Sequence, residues 1–174
     1  MCCFLRIINN HACLRDLEQR VTESDTTPGG GWPPAARWLM AFGAFACLVR
    51  LWEGDLDMWD GIWHADVARQ ILVTGDWVTM HSNGIPTFVK PPLYFWVTAG
   101  LMHVLGPTSL AARLLPALCG ILAMALTFAI ARRILGEKSA VLALFCLVST
   151  VLFLKYSRRA MHDVPVAAWT ALGV

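Results

Sequence analysis

Five side chains of chemically capable types stand at the edges of apolar runs in this sequence: Asp60, His64, Lys90, Arg113 and Asp163. A carboxylate such as Asp60 can accept or orient a proton during group transfer. Directed towards a membrane-facing protein surface, it is costly unless it has a partner or a task. At the start of a helix it also reads as a cap that accepts bonds from the first free amides. The two roles are compatible, although a helix N-terminus stabilises the anion and weakens it as a base. His64 lies one turn later, at i, i+4 from Asp60. That spacing suits a metal, but no third ligand is assignable, and the alternative is a hydrogen-bonded boundary histidine. Lys90 precedes Pro91 and Pro92, whose fixed backbone makes a stiff mount for an ammonium and suits phosphate recognition. Its other reading is an ordinary interfacial lysine. Arg113 and Asp163 read as a snorkelling anchor and a helix cap, or as further members of one site.

The elements that must position these groups belong to a membrane protein. The chain has 174 residues, 57% hydrophobic and only 15% charged, with a mean hydropathy of +0.56. A soluble domain usually carries about a quarter charged residues. Fourteen basic against twelve acidic side chains give a charge of +2 with no concentrated basic face, which excludes a nucleic-acid partner. Cys47, Cys119 and Cys146 lie inside apolar runs as small packing residues, while Cys2, Cys3 and Cys13 lie near the start. No CxxC pairing or Cys/His cluster points to a disulfide framework or zinc.

The expected fold is all-α and polytopic: three complete transmembrane helices and a truncated fourth, with interfacial helices in the first outer loop. Residues 1–32 form a cytosolic, disordered tail ending in Thr26-Thr27-Pro28-Gly29-Gly30-Gly31. Spans run over about 33–52, 109–131 and 139–157, and twenty helical residues rise about 30 Å, the thickness of the hydrocarbon core. The apolar segment 164–174 is too short to cross, so the sequence is expected to break off inside its fourth helix. The outer loop, 53–108, carries interfacial helices over about 61–73 and 92–105. In the first, Trp63, Val67, Ala68, Ile71 and Leu72 share one side and Asp66, Arg69 and Gln70 the other. If the second does not cross, Asp60, Lys90, Arg113 and Asp163 all lie near one membrane face, and that option is taken here. Five of the eight tryptophans fall between residues 52 and 96, as befits a loop along the membrane surface. Arg132, Arg133 and Lys138 favour a cytosolic connection between the second and third spans. Lys155, Arg158 and Arg159 then fall outside, so charge alone does not fix the orientation.

The stretch from Asp60-Gly61-Ile62-Trp63-His64-Ala65-Asp66 through Thr74-Gly75-Asp76-Trp77, Asn83-Gly84-Ile85-Pro86 and Lys90-Pro91-Pro92-Leu93-Tyr94 resembles the first outer loop of a known group. The group is the bacterial aminoarabinose transferases and protein O-mannosyltransferases, membrane glycosyltransferases of the GT-C type. Gly106, Ala111-Ala112-Arg113-Leu114, Arg132-Arg133-Ile134-Leu135-Gly136 and Asp163 continue the likeness in order, so that it covers roughly residues 34–174. The resemblance implies that Asp60 matches the catalytic acidic position and Lys90 the lysine that contacts the lipid-linked phosphate. Arg113 and Asp163 match an arginine and a second acid associated with the site. Gly61 replaces the usual glutamate, His64 the usual tyrosine, Met80 a common proline and Val89 a frequent acid.

On this resemblance, the expected function is transfer of a sugar from a polyprenyl-phosphate donor to a hydroxyl of a glycolipid or protein acceptor. The reaction belongs at the outer, periplasmic face of the plasma membrane. Catalysis falls to Asp60 and Asp163, and substrate binding to Lys90, Arg113 and His64. A divalent metal cofactor is left open: none is assignable from the sequence, and two carboxylates common in the group are missing. The polypeptide alone is expected to be inactive even where its parent is an enzyme. The competing reading is a non-catalytic membrane scaffold or degenerate paralogue. A transporter is disfavoured by charges clustered at one face and by the lack of an internal repeat.

Overall fold

The computed structural model describes residues 31–53, 56 and 59–173. All but the last two residues of the expected 1–32 tail therefore lie outside the described residues. Helix α1 spans Pro34–Leu48, with proline in its first turn, where a missing amide costs nothing. It stops because Val49 turns extended and Arg50 takes a left-handed φ of 61°, its guanidinium paired with Glu53. The expected span over 33–52 is thus a 15-residue helix, rising about 22 Å.

Helix α2 spans Trp59–Thr74 and buries Gly61, His64, Val67, Ala68 and Ile71, the face anticipated from its periodicity. The all-helical expectation needs one correction, a hairpin of β1 (His81–Ser82) and β2 (Ile85–Pro86) with Ser82 opposite Ile85. Its turn is Asn83-Gly84, with φ of 50° and 77°, the pair that a two-residue hairpin turn of this hand requires. The Asn83 amide donates to Asp66 Oδ2 at 3.1 Å, which fastens the hairpin to α2. The Asp76 carboxylate accepts from the amides of Val78 and Thr79, both at 2.9 Å, and shapes the approach to the hairpin.

Helix α3 spans Leu93–Leu105, opened by Pro92 and closed by Gly106 at φ 80°. Helix α4, Ser109–Leu135, is the longest and extends past the expected 131. Thr108 caps it by accepting from the Ala111 amide, and it runs on through Pro116. Helices α5 (Glu137–Ser149) and α6 (Val151–Ser157) replace the expected straight span over 139–157, and they meet at 68°. At the break, Ser149 and Thr150 turn their hydroxyls back onto the carbonyls of Phe145 and Cys146, at 2.7 and 2.8 Å, a bond that favours bending but that Thr98 and Thr127 also make inside unbroken helices. Helix α7 spans Asp163–Leu172.

Among the described residues, α4 alone is long and apolar enough to cross a membrane unbroken; α5 and α6 qualify only as one bent span. The apolar runs expected as spans over 33–52 and 139–157 thus correspond to the 15-residue α1 and to the bent α5–α6 pair. In its most apolar window α4 is only 39% buried, and α1 exposes Trp38, Phe42 and Phe45 along one stripe. Apolar exposure on this scale is foreign to a soluble monomer.

α4 is the spine of the fold, packing against α1, α3, α5, α6 and α7. Two apolar clusters flank it. Ala36, Cys47, Phe128, Leu144 and Val148 bind α1 and α5 to it. Val67, Ile71, Phe95, Met102, Leu115 and Ala168 gather α2, α3 and α7 on its other part. The helices approach closely at Gly120, where an added Cβ would stand 2.7 Å from Ser157 Oγ and 2.9 Å from Ser157 Cβ. The second clash is with an atom fixed to the backbone of α6, so relief requires a helix shift. Gly120→Ala is expected to destabilise the fold by about 1–3 kcal/mol, read as a lower thermal midpoint in detergent. At Gly43 an added Cβ meets the flexible Met124 thioether first, so Gly43→Ala should cost less.

Candidate functional site

Three chain segments converge at one end of the structure. The first turn of α2 carries Asp60, the stiff Pro91-Pro92 entry to α3 follows Lys90, and Asp163 lies in the first turn of α7. A residue with no sequence signal of its own, His162, joins them. The Lys90 ammonium stands 3.2 Å from Nδ1 and 3.3 Å from Nε2 of the His162 ring. His162 Nδ1 in turn lies 3.1 Å from His64 Nε2, and His64 Nδ1 is bonded to the backbone carbonyl of Asp60.

Donor and acceptor counting fixes the protons along this chain. A carbonyl can only accept, so His64 carries its proton on Nδ1 and leaves Nε2 as an acceptor. With both rings neutral, the proton between them comes from His162 Nδ1, and His162 Nε2 is the acceptor that faces the Lys90 ammonium at 3.3 Å, while the 3.2 Å approach to Nδ1 is a contact and not a hydrogen bond. The direction of both histidine pKa shifts favours the neutral rings. Burial pushes the His64 pKa below its ordinary value; the bond to Asp60 opposes this, and the Lys90 charge adds to it. Burial and then Lys90 lower His162, against smaller opposing effects of Asp163 and Asp60.

The sign of the resulting pH dependence follows. A histidine whose folded pKa is depressed binds fewer protons folded than unfolded. Its contribution is present above the unfolded value of 6.5 and is lost as pH falls from there through the folded value. The thermal midpoint should decline as pH is lowered from about 7.5 to about 5. A flat profile over that interval would contradict neutral rings.

His64, for which a substrate-binding role was expected, lies inside the fold. It is 0% exposed, stacked on Phe95 at 5.7 Å and on His162 at 5.1 Å, and both its nitrogens are engaged within the protein. It holds the site from beneath and does not reach a substrate. Asp60 is exposed in the first turn of α2, and the bond with His64 uses its backbone carbonyl, so this contact leaves the carboxylate unused. The Asp163 side chain is 55% exposed, with Oδ1 4.0 Å from His162 Nε2. Arg113, by contrast, is buried; Nη1 donates to the carbonyls of Glu53 at 2.7 Å and Leu51 at 3.4 Å. These bonds make it a brace for the chain between α1 and α2.

Beside Lys90 and His162 lies a cleft of about 20 Å³, otherwise lined by Pro91, Tyr94, Phe95, Val166 and Trp169. That volume holds about one water, so the cleft is an apolar border beside the cation and not a ligand cavity. The Tyr94 phenol is buried, and burial raises its pKa well above the usual tyrosine value. Among the described residues, no three His, Cys, Asp or Glu side chains are grouped to hold a metal ion. Gly61 packs against the Ala160 turn, where an added Cβ would meet only ordinary contacts at 3.8 and 3.9 Å. Gly61→Ala should therefore keep the site and stabilise the helix by up to about 1 kcal/mol, seen as an unchanged or raised thermal midpoint.

Comparison with known proteins places this arrangement among relatives. Residues 89–174 match the family described as dolichyl-phosphate-mannose-protein mannosyltransferase. An uncharacterised protein of Aquifex aeolicus is 31% identical over 112 residues, which is 64% of this chain and 22% of that protein. An undecaprenyl phosphate-alpha-4-amino-4-deoxy-L-arabinose arabinosyl transferase of Edwardsiella ictaluri is 29% identical over 120 residues, 68% of this chain and 21% of the relative. The crystal structure of ArnT from Cupriavidus metallidurans bound to undecaprenyl phosphate superposes with a TM-score of 0.71 at 27% identity. That match covers 78% of this chain and 25% of ArnT. The chain thus spans about a fifth of the length of the curated relatives it matches.

Proposed function

We propose, from the chain's resemblance to GT-C membrane glycosyltransferases of the aminoarabinose transferase and protein mannosyltransferase group, that it supplies the acid and the phosphate-binding cation of a sugar transferase. The donor is a sugar carried on a polyprenyl phosphate, and the acceptor is a hydroxyl of a lipid A-type glycolipid or of a protein. The protein is a multi-pass component of the inner membrane, with this site on the periplasmic side. The activity belongs to the intact protein, of which the described end contributes one part of the site.

The observation that carries this reading is the chain of contacts from Lys90 through His162 and His64 to the Asp60 turn. It supports the reading by linking the Lys90 ammonium to the backbone of the turn that bears the exposed Asp60 carboxylate. In the reaction, the acceptor oxygen attacks the anomeric carbon and forms the new glycosidic bond. The bond from that carbon to the phosphate oxygen breaks, and its electron pair leaves with the lipid phosphate. The acceptor proton passes to the Asp60 carboxylate. Lys90 meets the charge that develops on the departing phosphate, a contribution on the order of a few kcal/mol in a partly dry site. One displacement inverts the anomeric centre. Asp163, exposed next to His162, orients the polar acceptor, while Arg113 holds the backbone at Leu51 and Glu53.

The test is mass spectrometry of envelope glycolipids from cells with and without the intact gene. A sugar-sized mass increment that vanishes on deletion supports transfer; identical glycolipid and glycoprotein profiles oppose it. Identical profiles are what the second reading, a degenerate non-catalytic paralogue, requires. That reading is favoured by Gly61 and the exposed Val89, where the group commonly has carboxylates.

A further inference from the structure

We infer that His162 is a positioning residue for the Lys90 ammonium, held in the required tautomer by His64 buried beneath it. This rests on the proposal that Lys90 receives a lipid phosphate, and it assigns the residue that keeps Lys90 in place to do so.

A lysine head on four rotatable bonds samples many positions, and its stem alone does not fix the charge. Here the ammonium is within 3.3 Å of both nitrogens of one ring. That ring is itself constrained: it stacks on His64 at 5.1 Å and 26° and spends its Nδ1 proton on His64 Nε2. His64 cannot rotate to release it, because it is wholly enclosed between Phe95, Tyr94 and Trp63 and its own Nδ1 proton is committed to the Asp60 carbonyl. The orientation of the outer ring is thereby fixed from the first turn of α2, so the seat of Lys90 and the turn that bears Asp60 are set by the same contacts. The charged and titratable groups around His162 are Lys90, His64, Asp163 and Asp60, with the Tyr94 ring at 6.5 Å. Protonation of His162 would turn its acceptor into a donor beside a like charge and unseat the lysine.

Two measurements on the intact protein in detergent test this. The first is long-range nitrogen–proton NMR of the histidine side chains. Both rings should show the Nδ1–H tautomer, and in Lys90→Met the His162 titration should move up, since a neighbouring cation has gone. An Nε2–H tautomer at His162, or a titration indifferent to Lys90→Met, would overturn the assignment. The second is binding of undecaprenyl phosphate in micelles. His162→Phe keeps the ring stack but loses the acceptor, and affinity should fall about tenfold. His162→Gln can donate to His64 through its amide nitrogen and accept from Lys90 through its oxygen, and should restore most of that affinity. Wild-type binding by His162→Phe, or equal losses in both variants, would overturn positioning. Undiminished binding by Lys90→Met would instead remove the phosphate role of Lys90, and the NMR measurement would still decide the positioning.

Discussion

Asp60→Asn in the intact protein is expected to reduce sugar transfer by about 100-fold or more, with no matching loss of stability. The bond that ties this turn to His64 is made by the Asp60 backbone carbonyl, which asparagine retains. The carboxylate is exposed in the first turn of α2, so its replacement by a neutral isostere leaves no buried charge behind. What disappears is the proton acceptor alone. Turnover measured with a polyprenyl-phosphate sugar should fall while the thermal midpoint and the donor's binding stay near wild type. Wild-type turnover in this variant would take Asp60 out of the chemistry.

Lys90→Met should lower kcat/KM for the lipid-linked donor by about 100- to 1,000-fold. Methionine has similar length and keeps the apolar lining beside Pro91 and Tyr94, but it has no charge to meet the departing phosphate. The loss should fall partly on kcat, because negative charge on that oxygen grows as the glycosidic bond breaks. Lys90→Arg should recover only part of the rate. The guanidinium keeps the charge, but its planar fork fits the seat against the His162 ring differently from a compact ammonium. Steady-state kinetics over a range of donor concentration separates these effects, and a Lys90→Met enzyme with undiminished kcat/KM would refute the leaving-group role.

The sequence carried the helical elements of the outer loop well, because their signals are local. The apolar stripe from Val67 to Ile71 defined α2, and the Pro91-Pro92 and Gly106 boundaries defined α3 to within a residue. It misjudged the outer spans, where hydropathy is insensitive to backbone direction. Val49 and Arg50 leave the helix after Leu48 although Leu51 and Trp52 are apolar. The third apolar run bends at Ser149 and Thr150 although nothing in its composition interrupts it. Asn83-Gly84 is a recognisable hairpin turn, flanked by strands too short to show an alternation. At the site, spacing alone left Asp60 and Lys90 with ordinary alternatives, and family likeness joined them. His162 escaped because its partners are distant in the chain: Lys90 is 72 positions away and His64 is 98. The local clue was a polar His162-Asp163 step into an apolar helix. The replacement of tyrosine by His64 acquires a physical meaning only alongside His162, since the pair works as two linked imidazoles.

The central claim is that the groups at 60 and 90 face the same aqueous side, outside the cell membrane, at opposite ends of one displacement. Single cysteines introduced as Asp60→Cys and Lys90→Cys, in an otherwise cysteine-free intact protein, can be challenged with a membrane-impermeant maleimide on whole cells. Both positions should label from outside without permeabilisation. Labelling of one from outside and of the other only after the membrane is opened would contradict the account.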